Sequence, residues 1–242
     1  MMKYIRTIGI FLIAGLWSFF SIVLHPFDKN GFIHGKIMYW SSRIILWNCG
    51  IKLNINGSEN LENISPAVIV MNHESALDIP VITACLTIQS RFMAKKELFR
   101  VPFFGWALSL GKHISIDRKN AKTAIRSINK GAAILVKKKF SIIVSPEGTR
   151  SPDGQIGKFK KGAFYIAKEF DLPIISITMM GNRYCVPNKS ILAIPGKIDV
   201  IIDPPVSVSD FDSLTDCINS VHSTMVMHKK KYESDRLKGK VA

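Results

Sequence analysis

Acidic side chains are scarce in this sequence. Its 242 residues carry 33 Lys and Arg against 18 Asp and Glu, a formal net charge of +15. An excess of that size sets up a positive field toward anionic partners, and nucleic acid and phospholipid both qualify. Cysteine is sparse too. Cys49, Cys85, Cys185 and Cys217 lie far apart, with no CxxC pair and no neighbouring histidine cluster. That spacing argues against a zinc site and a disulfide framework, and it suits free thiols in a reducing compartment. The remaining histidines (His25, His34, His113, His222, His228) show no paired spacing with His73, so no metal is expected. Neither a Walker A pattern nor GxGxxG occurs, which leaves nucleotide binding through a glycine loop without support. GxSxG is missing as well, so a serine nucleophile has no elbow to present it. There is no internal repeat, only two short lysine runs at 137–139 and 229–231.

What is abundant is apolar, and it is concentrated at the start of the chain. "TIGIFLIAGLWSFFSIVL" (7–24) is uncharged and follows Lys3 and Arg6. Its length is at the lower limit for a helix crossing a hydrocarbon core of ~30 Å. A signal peptide is the competing reading, but His25-Pro26-Phe27 follows directly, with no small-residue cleavage site. In "FIHGKIMYWSSRIILWNCG" (32–50), Ile37, Trp40, Ile44 and Trp47 recur at helical spacing with Lys36 and Arg43 between them, a pattern suited to a helix in the headgroup region. Residues 1–50 therefore read as a membrane anchor built as a helical hairpin, with one signal anchor followed by an ordinary core helix as the alternative. Those apolar segments tilt the partner of the basic charge toward an anionic membrane surface, and no nucleic acid is expected.

Residues 51–242 have the length of one sizeable α/β domain. Short β-type runs at 67–71, 91–94, 113–116, 140–144, 173–179 and 197–203 alternate with helical patterns. Such alternation predicts a largely parallel sheet flanked by helices. A helix is predicted over 121–139, another over 162–170, and a terminal helix after cap candidates at 207–213, its last turns "HKKKYESDR" solvated and frayed. In an open α/β sheet, functional groups gather beyond the carboxyl ends of the strands. Three polar clusters fall there: "NHESALD", "DRKN" and "SPEGTR".

In the first, a carboxylate five residues after a histidine can accept the Nδ1 proton and leave Nε2 as an outward base, so His73 and Asp78 are a candidate dyad. Taken singly, a helix-capping His73 and a surface Asp78 satisfy the same pattern. In "SPEGTR", Pro146 sets a turn, Gly148 admits a ligand close to backbone, and Thr149 and Arg150 offer donors suited to phosphate. Glu147 is the odd element, useful where the ligand also brings hydroxyls; an ordinary polar turn reads the same in isolation. Lys95, Lys96 and Arg118, after two further strands, can complete an anion pocket or stand as solvated charges.

In this order and spacing the clusters resemble the glycerolipid acyltransferase family, typified by the 1-acylglycerol-3-phosphate acyltransferases. "NHESALD" fits its NHxxxxD motif, "KHISIDR" its second motif, "SPEGTR" its third and "LPIISI" its apolar fourth, spanning roughly residues 66–180. The resemblance implies that 51–242 is an acyltransferase domain in which His73, oriented by Asp78, deprotonates an acceptor hydroxyl that attacks the thioester of acyl-CoA or acyl carrier protein. It implies Glu147, Gly148, Thr149 and Arg150 around a glycerol phosphate, with Arg118 and Lys95 as further phosphate contacts. No cofactor is implied beyond the acyl donor. Because acyl-CoA is cytosolic, it also implies a membrane location with the active site facing the cytosol.

Three departures bear on the acceptor. Ser145 stands where the third motif usually has phenylalanine, Ser115 where the second often has an aromatic, and Ser176 where the fourth usually has a second proline. They keep open another lysolipid, such as lyso-ornithine lipid, beside the lysophosphatidate that would give phosphatidic acid. The reading from a different class is a non-catalytic basic membrane-binding protein, which gives no reason for His and Asp at this spacing.

Overall fold

The computed structural model describes residues 2–239 except 65, 118–120, 188, 189 and 191, with backbone alone for 121–125. In chain order its elements are α1 (Met2–Val23), α2 (Phe32–Cys49), β1 (Ile51–Asn56), β2 (Val68–Met71), α3 (Asp78–Cys85), β3 (Ser90–Lys95), α4 (Phe104–Leu110) and β4 (Ile114–Ile116). There follow α5 (Ala121–Lys137), β5 (Ser141–Val144), α6 (Gly162–Glu169), β6 (Ile174–Met180), α7 (Asn182–Cys185), β7 (Gly196–Ile202) and α8 (Leu214–Leu237). All six predicted strands are present within a residue or two of their expected limits.

The sheet runs in the order β1-β7-β6-β2-β5-β3-β4. Every neighbouring pair is parallel except β6 with β7, so the largely parallel architecture holds with one reversal. Strands β2, β5 and β6 are buried along their whole length, and for that reason they read as unbroken apolar runs. Their side chains divide by the strand period of two. Ile69, Ile143, Ile175 and Ile177 join one core with α1 to α4; Val68, Val70, Ile142 and Ile174 join the other with α5, α6 and α8.

Strand β1 escaped the sequence reading. It lies at the sheet edge, where Lys52, Asn54 and Asn56 face water between Ile51, Leu53 and Ile55. The helix expected after His73 is α3, which starts at Asp78; the short helices α4 and α7 were not anticipated, being too short to show a helical period.

The expected N-terminal hairpin is there, and its inner face belongs to the first core: Trp17, Met38, Leu46 and Cys49 are buried in the same cluster as Ile69 and Ile175. Asp28 shapes its turn by accepting from the N–H groups of Ile33 (3.0 Å) and His34 (2.8 Å), two otherwise unpaired donors of the first turn of α2. The helix stops at Gly50, whose φ of 69° is left-handed and whose N–H closes back on Leu46 and Trp47, so β1 starts at once. The outer face is apolar and bare. Ile8, Phe11, Leu12, Trp40 and Trp47 are all exposed, and α1 is long and apolar enough to cross a membrane by length and composition.

One correction concerns α8. Its last turns are neither frayed nor wholly solvated: Lys229 and Tyr232 are buried, because the helix lies along β6 and behind the polar loops.

Candidate active site

Three adjacent parallel strands, β6, β2 and β5, end side by side. The loops beyond their carboxyl ends carry Asn182, His73 and Glu147. At the end of β2 the side chain of Asn72 continues the sheet: its Nδ2 donates to the Met179 carbonyl (2.9 Å) and its Oδ1 accepts the Met179 N–H (2.8 Å). This amide pair stands in for one more backbone rung, and it fixes the point from which His73 departs.

His73 Nδ1 lies 2.6 Å from Oδ2 of Asp78. Asp78 opens α3 and is fully buried, while the imidazole is 17% exposed. The same Oδ2 accepts the backbone N–H groups of Glu74 (2.8 Å) and Ser75 (3.0 Å), and Oδ1 accepts Nδ2 of Asn182 (2.7 Å). With both carboxylate oxygens held, the plane of Asp78 is set, and Nδ1 of His73 is committed to it. The ring nitrogen left for chemistry is Nε2, which makes no hydrogen bond among the described residues. An imidazole so oriented can take a proton from a group placed at its open edge.

Ser75 has another task. Its hydroxyl donates to the Val186 carbonyl (2.9 Å), accepts the Leu77 N–H (3.2 Å) and is buried. It ties the start of α3 to the loop after α7.

The "SPEGTR" loop is joined to the same place. Glu147 Oε1 accepts the N–H of His73 and Oε2 the N–H of Gly157, both at 2.8 Å, and the Ser151 N–H donates to the His73 carbonyl at 2.8 Å. Burial pushes the Glu147 carboxyl up, opposed first by the Gly157 N–H and then by that of His73. Glu147 thus braces two loops with its carboxylate. Gly148 has φ of 78°, in the left-handed region, and a Cβ there would come within 2.6 Å of Lys160 Nζ. The left-handed φ is what favours glycine, since the Lys160 ammonium is the end of a flexible side chain and could move aside. Thr149 and Arg150 are exposed beside it. Lys95 ends β3 half exposed, 3.6 Å from Glu97 Oε1, and Lys96 lies 3.1 Å from Asp117 Oδ2. Arg118 lies outside the described residues.

The structure therefore brings His73, Asp78 and Glu147 into one cluster, with Gly148, Thr149 and Arg150 on the adjoining turn. Sequence reasoning missed four of its parts: Asn182 on Asp78, Gly157 on Glu147, Lys160 over Gly148, and Lys229, whose Nζ lies 2.6 Å from Glu74 Oε2. Only Lys160 had a local signal, the basic "KFKK" that follows the third cluster. Of the serine departures, Ser176 donates to Asp203 Oδ2 (2.6 Å), which also lies 2.8 Å from His228 Nε2 through its other oxygen, so its hydroxyl is spent within the fold.

A protein-family model described as "Acyltransferase" matches residues 52–180. The chain is similar to a 1-acyl-sn-glycerol-3-phosphate acyltransferase of Cocos nucifera, 32% identical over 219 residues that cover 88% of this chain and 70% of the other. It is similar also to one of Pseudomonas aeruginosa, 34% identical over 211 residues, 83% of this chain and 80% of the other. Among solved structures it resembles the 1-acyl-sn-glycerophosphate (LPA) acyltransferase, PlsC, from Thermotoga maritima. That match has a TM-score of 0.80 at 25% identity, covering 96% of this chain and 98% of that one.

Proposed function

This chain belongs to the Acyltransferase family, and from that premise we propose that it acylates 1-acylglycerol-3-phosphate to phosphatidic acid, with acyl-CoA or acyl carrier protein as the thioester donor. The observation that carries the reading is the 2.6 Å contact of His73 with a buried Asp78, tied by backbone hydrogen bonds to the turn that holds Arg150. Nε2 of His73 takes the proton of the acceptor hydroxyl as its oxygen attacks the thioester carbonyl. The new C–O bond forms, the C–S bond breaks, and the departing thiolate takes the proton from the imidazolium. Asp78 keeps the ring in the tautomer that leaves Nε2 free and stabilises its transient charge. No acyl-enzyme is needed, which agrees with a Ser75 hydroxyl already committed to Val186.

The acceptor phosphate is assigned to Arg150, Thr149 and the backbone at Gly148, with Lys160 Nζ close to that glycine; Lys95 and Arg118 are kept as further contacts on the strength of the motif resemblance alone. The guanidinium of Arg150 and the ammonium of Lys160, both belonging to or reaching this turn, suit a dianion. Glu147 serves them by shaping the turn, since its oxygens already accept two backbone N–H groups.

Acceptor and product both reside in a bilayer. We infer that the apolar face of α1 and α2, with the exposed Phe103 and, in α4, Trp106, lies in one leaflet and that the site faces the cytosol; the exposure of these side chains supports the first part. The excess positive charge favours anionic headgroups. The test is to incubate membranes carrying wild type or His73→Ala with labelled acyl-CoA and a panel of lysolipids. Label is expected in phosphatidic acid with the wild type alone. Equal label with both proteins, or label in a different lysolipid only, overturns the reading.

A further inference from the structure

The family match ends at residue 180, whereas α8 spans Leu214–Leu237. Yet α8 touches both loops of the site. His222 Nε2 lies 3.2 Å from the carbonyl of Gly157, the residue whose N–H holds Glu147 Oε2. Further along, Lys229 Nζ lies 2.6 Å from Glu74 Oε2, with both side chains 2% exposed. Lys230 and Lys231, its neighbours in the same run, are exposed.

Desolvating an ammonium and a carboxylate opposes folding, and exchanging such a pair for apolar side chains of similar volume is often neutral or stabilising. The pair is therefore weakly explained as a source of stability. Its position offers more. Glu74 directly follows His73, and its own N–H donates to Asp78 Oδ2 at 2.8 Å. The residue is pinned at both ends, by its backbone to Asp78 and by its side chain to Lys229. Lys229 is the one side chain hydrogen-bonded to the Glu74 carboxyl among the described residues, with the backbone of Arg183 in α7 as a weaker influence, so Lys229 is its principal tether. Burial pushes the Glu74 carboxyl up, and Lys229 is the largest influence opposing that rise.

The other oxygen of Asp78 is reached from α8 as well. Lys229 Nζ lies 3.6 Å from Glu233 Oε1, and Glu233 Oε2 accepts from Tyr184 Oη at 2.8 Å. Tyr184 belongs to α7, which also carries Asn182, the donor to Asp78 Oδ1 at 2.7 Å. A path that leaves Asp78 through Glu74 thus passes Lys229 and Glu233 and returns to Asp78 through α7.

We propose that Lys229 is a positioning residue for the acyl transfer: through its ion pair with Glu74, the C-terminal helix holds the loop that sets the Asp78 carboxylate against His73. The proposal rests on the roles given above to His73 and Asp78. It makes α8, beyond the matched region, part of the active-site framework.

The test compares the full-length wild type, Glu74→Gln and Glu74→Met/Lys229→Met in detergent micelles with lysophosphatidate and acyl-CoA. Glu74→Gln keeps the shape but removes the charge that holds Lys229, whose ammonium stays near Glu233, so this variant decides the matter should the double variant fail to fold. A kcat lower by about tenfold in Glu74→Gln, and by about 10- to 100-fold in the double variant, is expected for a displaced dyad. KM for either substrate should change by less than about threefold. The double variant should melt at or above the wild-type temperature, which separates positioning from stability. A kcat within about twofold of wild type in either folded variant overturns the proposal.

A second readout does not depend on turnover. Carbethoxylation of His73, followed by mass spectrometry of its peptide, should slow by about threefold in Glu74→Gln as the Asp78 contact loosens; an unchanged rate overturns the proposal. An inactive wild type or an active His73→Ala would instead sink the acyltransferase reading, while the carbethoxylation rates would still decide whether Lys229 and Glu74 position the ring.

Discussion

Nε2 of His34 and Nε2 of His113 face each other at 3.1 Å in the buried seam between α2 and the sheet. His113 Nδ1 accepts the Phe92 N–H (3.1 Å), so its proton sits on Nε2 and is donated to His34. His34 then carries its own proton on Nδ1. Two neutral rings satisfy the Nε2 contact, leaving the buried Nδ1 of His34 without a partner among the described residues, whereas protonating either would set N–H against N–H.

Acid should therefore loosen the hairpin. Burial, with Arg91 next, lowers His34 to about 3; burial, then His34 and Arg91, lowers His113 well below its ordinary value. Asp28 opposes the shift at His34 but does not cancel it. Both values fall below that of a free imidazole, about 6.5, so the unfolded chain binds more protons in the interval between. This contribution to stability is complete above about pH 6.5 and is lost progressively as pH falls toward the lowered values. Urea midpoints at pH 7 and 5 should show a fall in the wild type and a smaller one in His34→Gln/His113→Gln. Equal falls would contradict the pairing.

Arg91 anchors the same seam from the sheet side. It is fully buried and donates to the carbonyls of Gly31 (2.6 Å), Ser90 (2.7 Å) and Gly111, with its guanidinium 4.4 Å from the centre of the Phe140 ring. Arg91→Met removes these donors and leaves buried carbonyls without partners. A loss of about 3 kcal/mol or more is expected from denaturant unfolding.

Asn182 reads out the far side of the dyad. Asn182→Ala should lower kcat about tenfold with little change in KM, since Asp78 loses the donor on Oδ1. Asn182→Asp should be worse in both kcat and melting temperature, because it puts a second carboxylate against a buried one.

Ser75→Ala separates a structural hydroxyl from a nucleophile. The loss of its bonds to Val186 and Leu77 should cost about 1–2 kcal/mol in a melting experiment. Activity per folded molecule should stay within about threefold of wild type. Abolished turnover in a folded protein would revive a serine mechanism.

Much of the sheet was legible because local pattern suffices for it. Runs such as "VIVM" and "SIIV" are apolar throughout, and both faces of those central strands are covered. β1 was not legible, since its Lys and Asn alternate at an edge whose existence depends on pairing with β7, some 145 residues away as marked by Asn54 and Asp199. The dyad was legible as a spacing of five residues, and the "SPEGTR" turn as a composition. Their supports were not: Asn182 lies 104 residues from Asp78, and Lys229 lies 155 residues from Glu74.

The sequence by itself determined the alternation that makes a layered α/β domain, the polar loops at its strand ends, and the placing of His73 within reach of Asp78, because each depends on a few consecutive residues. Only the tertiary structure decided that β7 runs against β6, that Glu147 braces His73, and which of three adjacent lysines leaves water. Lys229, Lys230 and Lys231 are chemically the same; the one on the face of α8 turned toward Glu74 is buried because packing, and not side-chain type, decides which charge finds a partner.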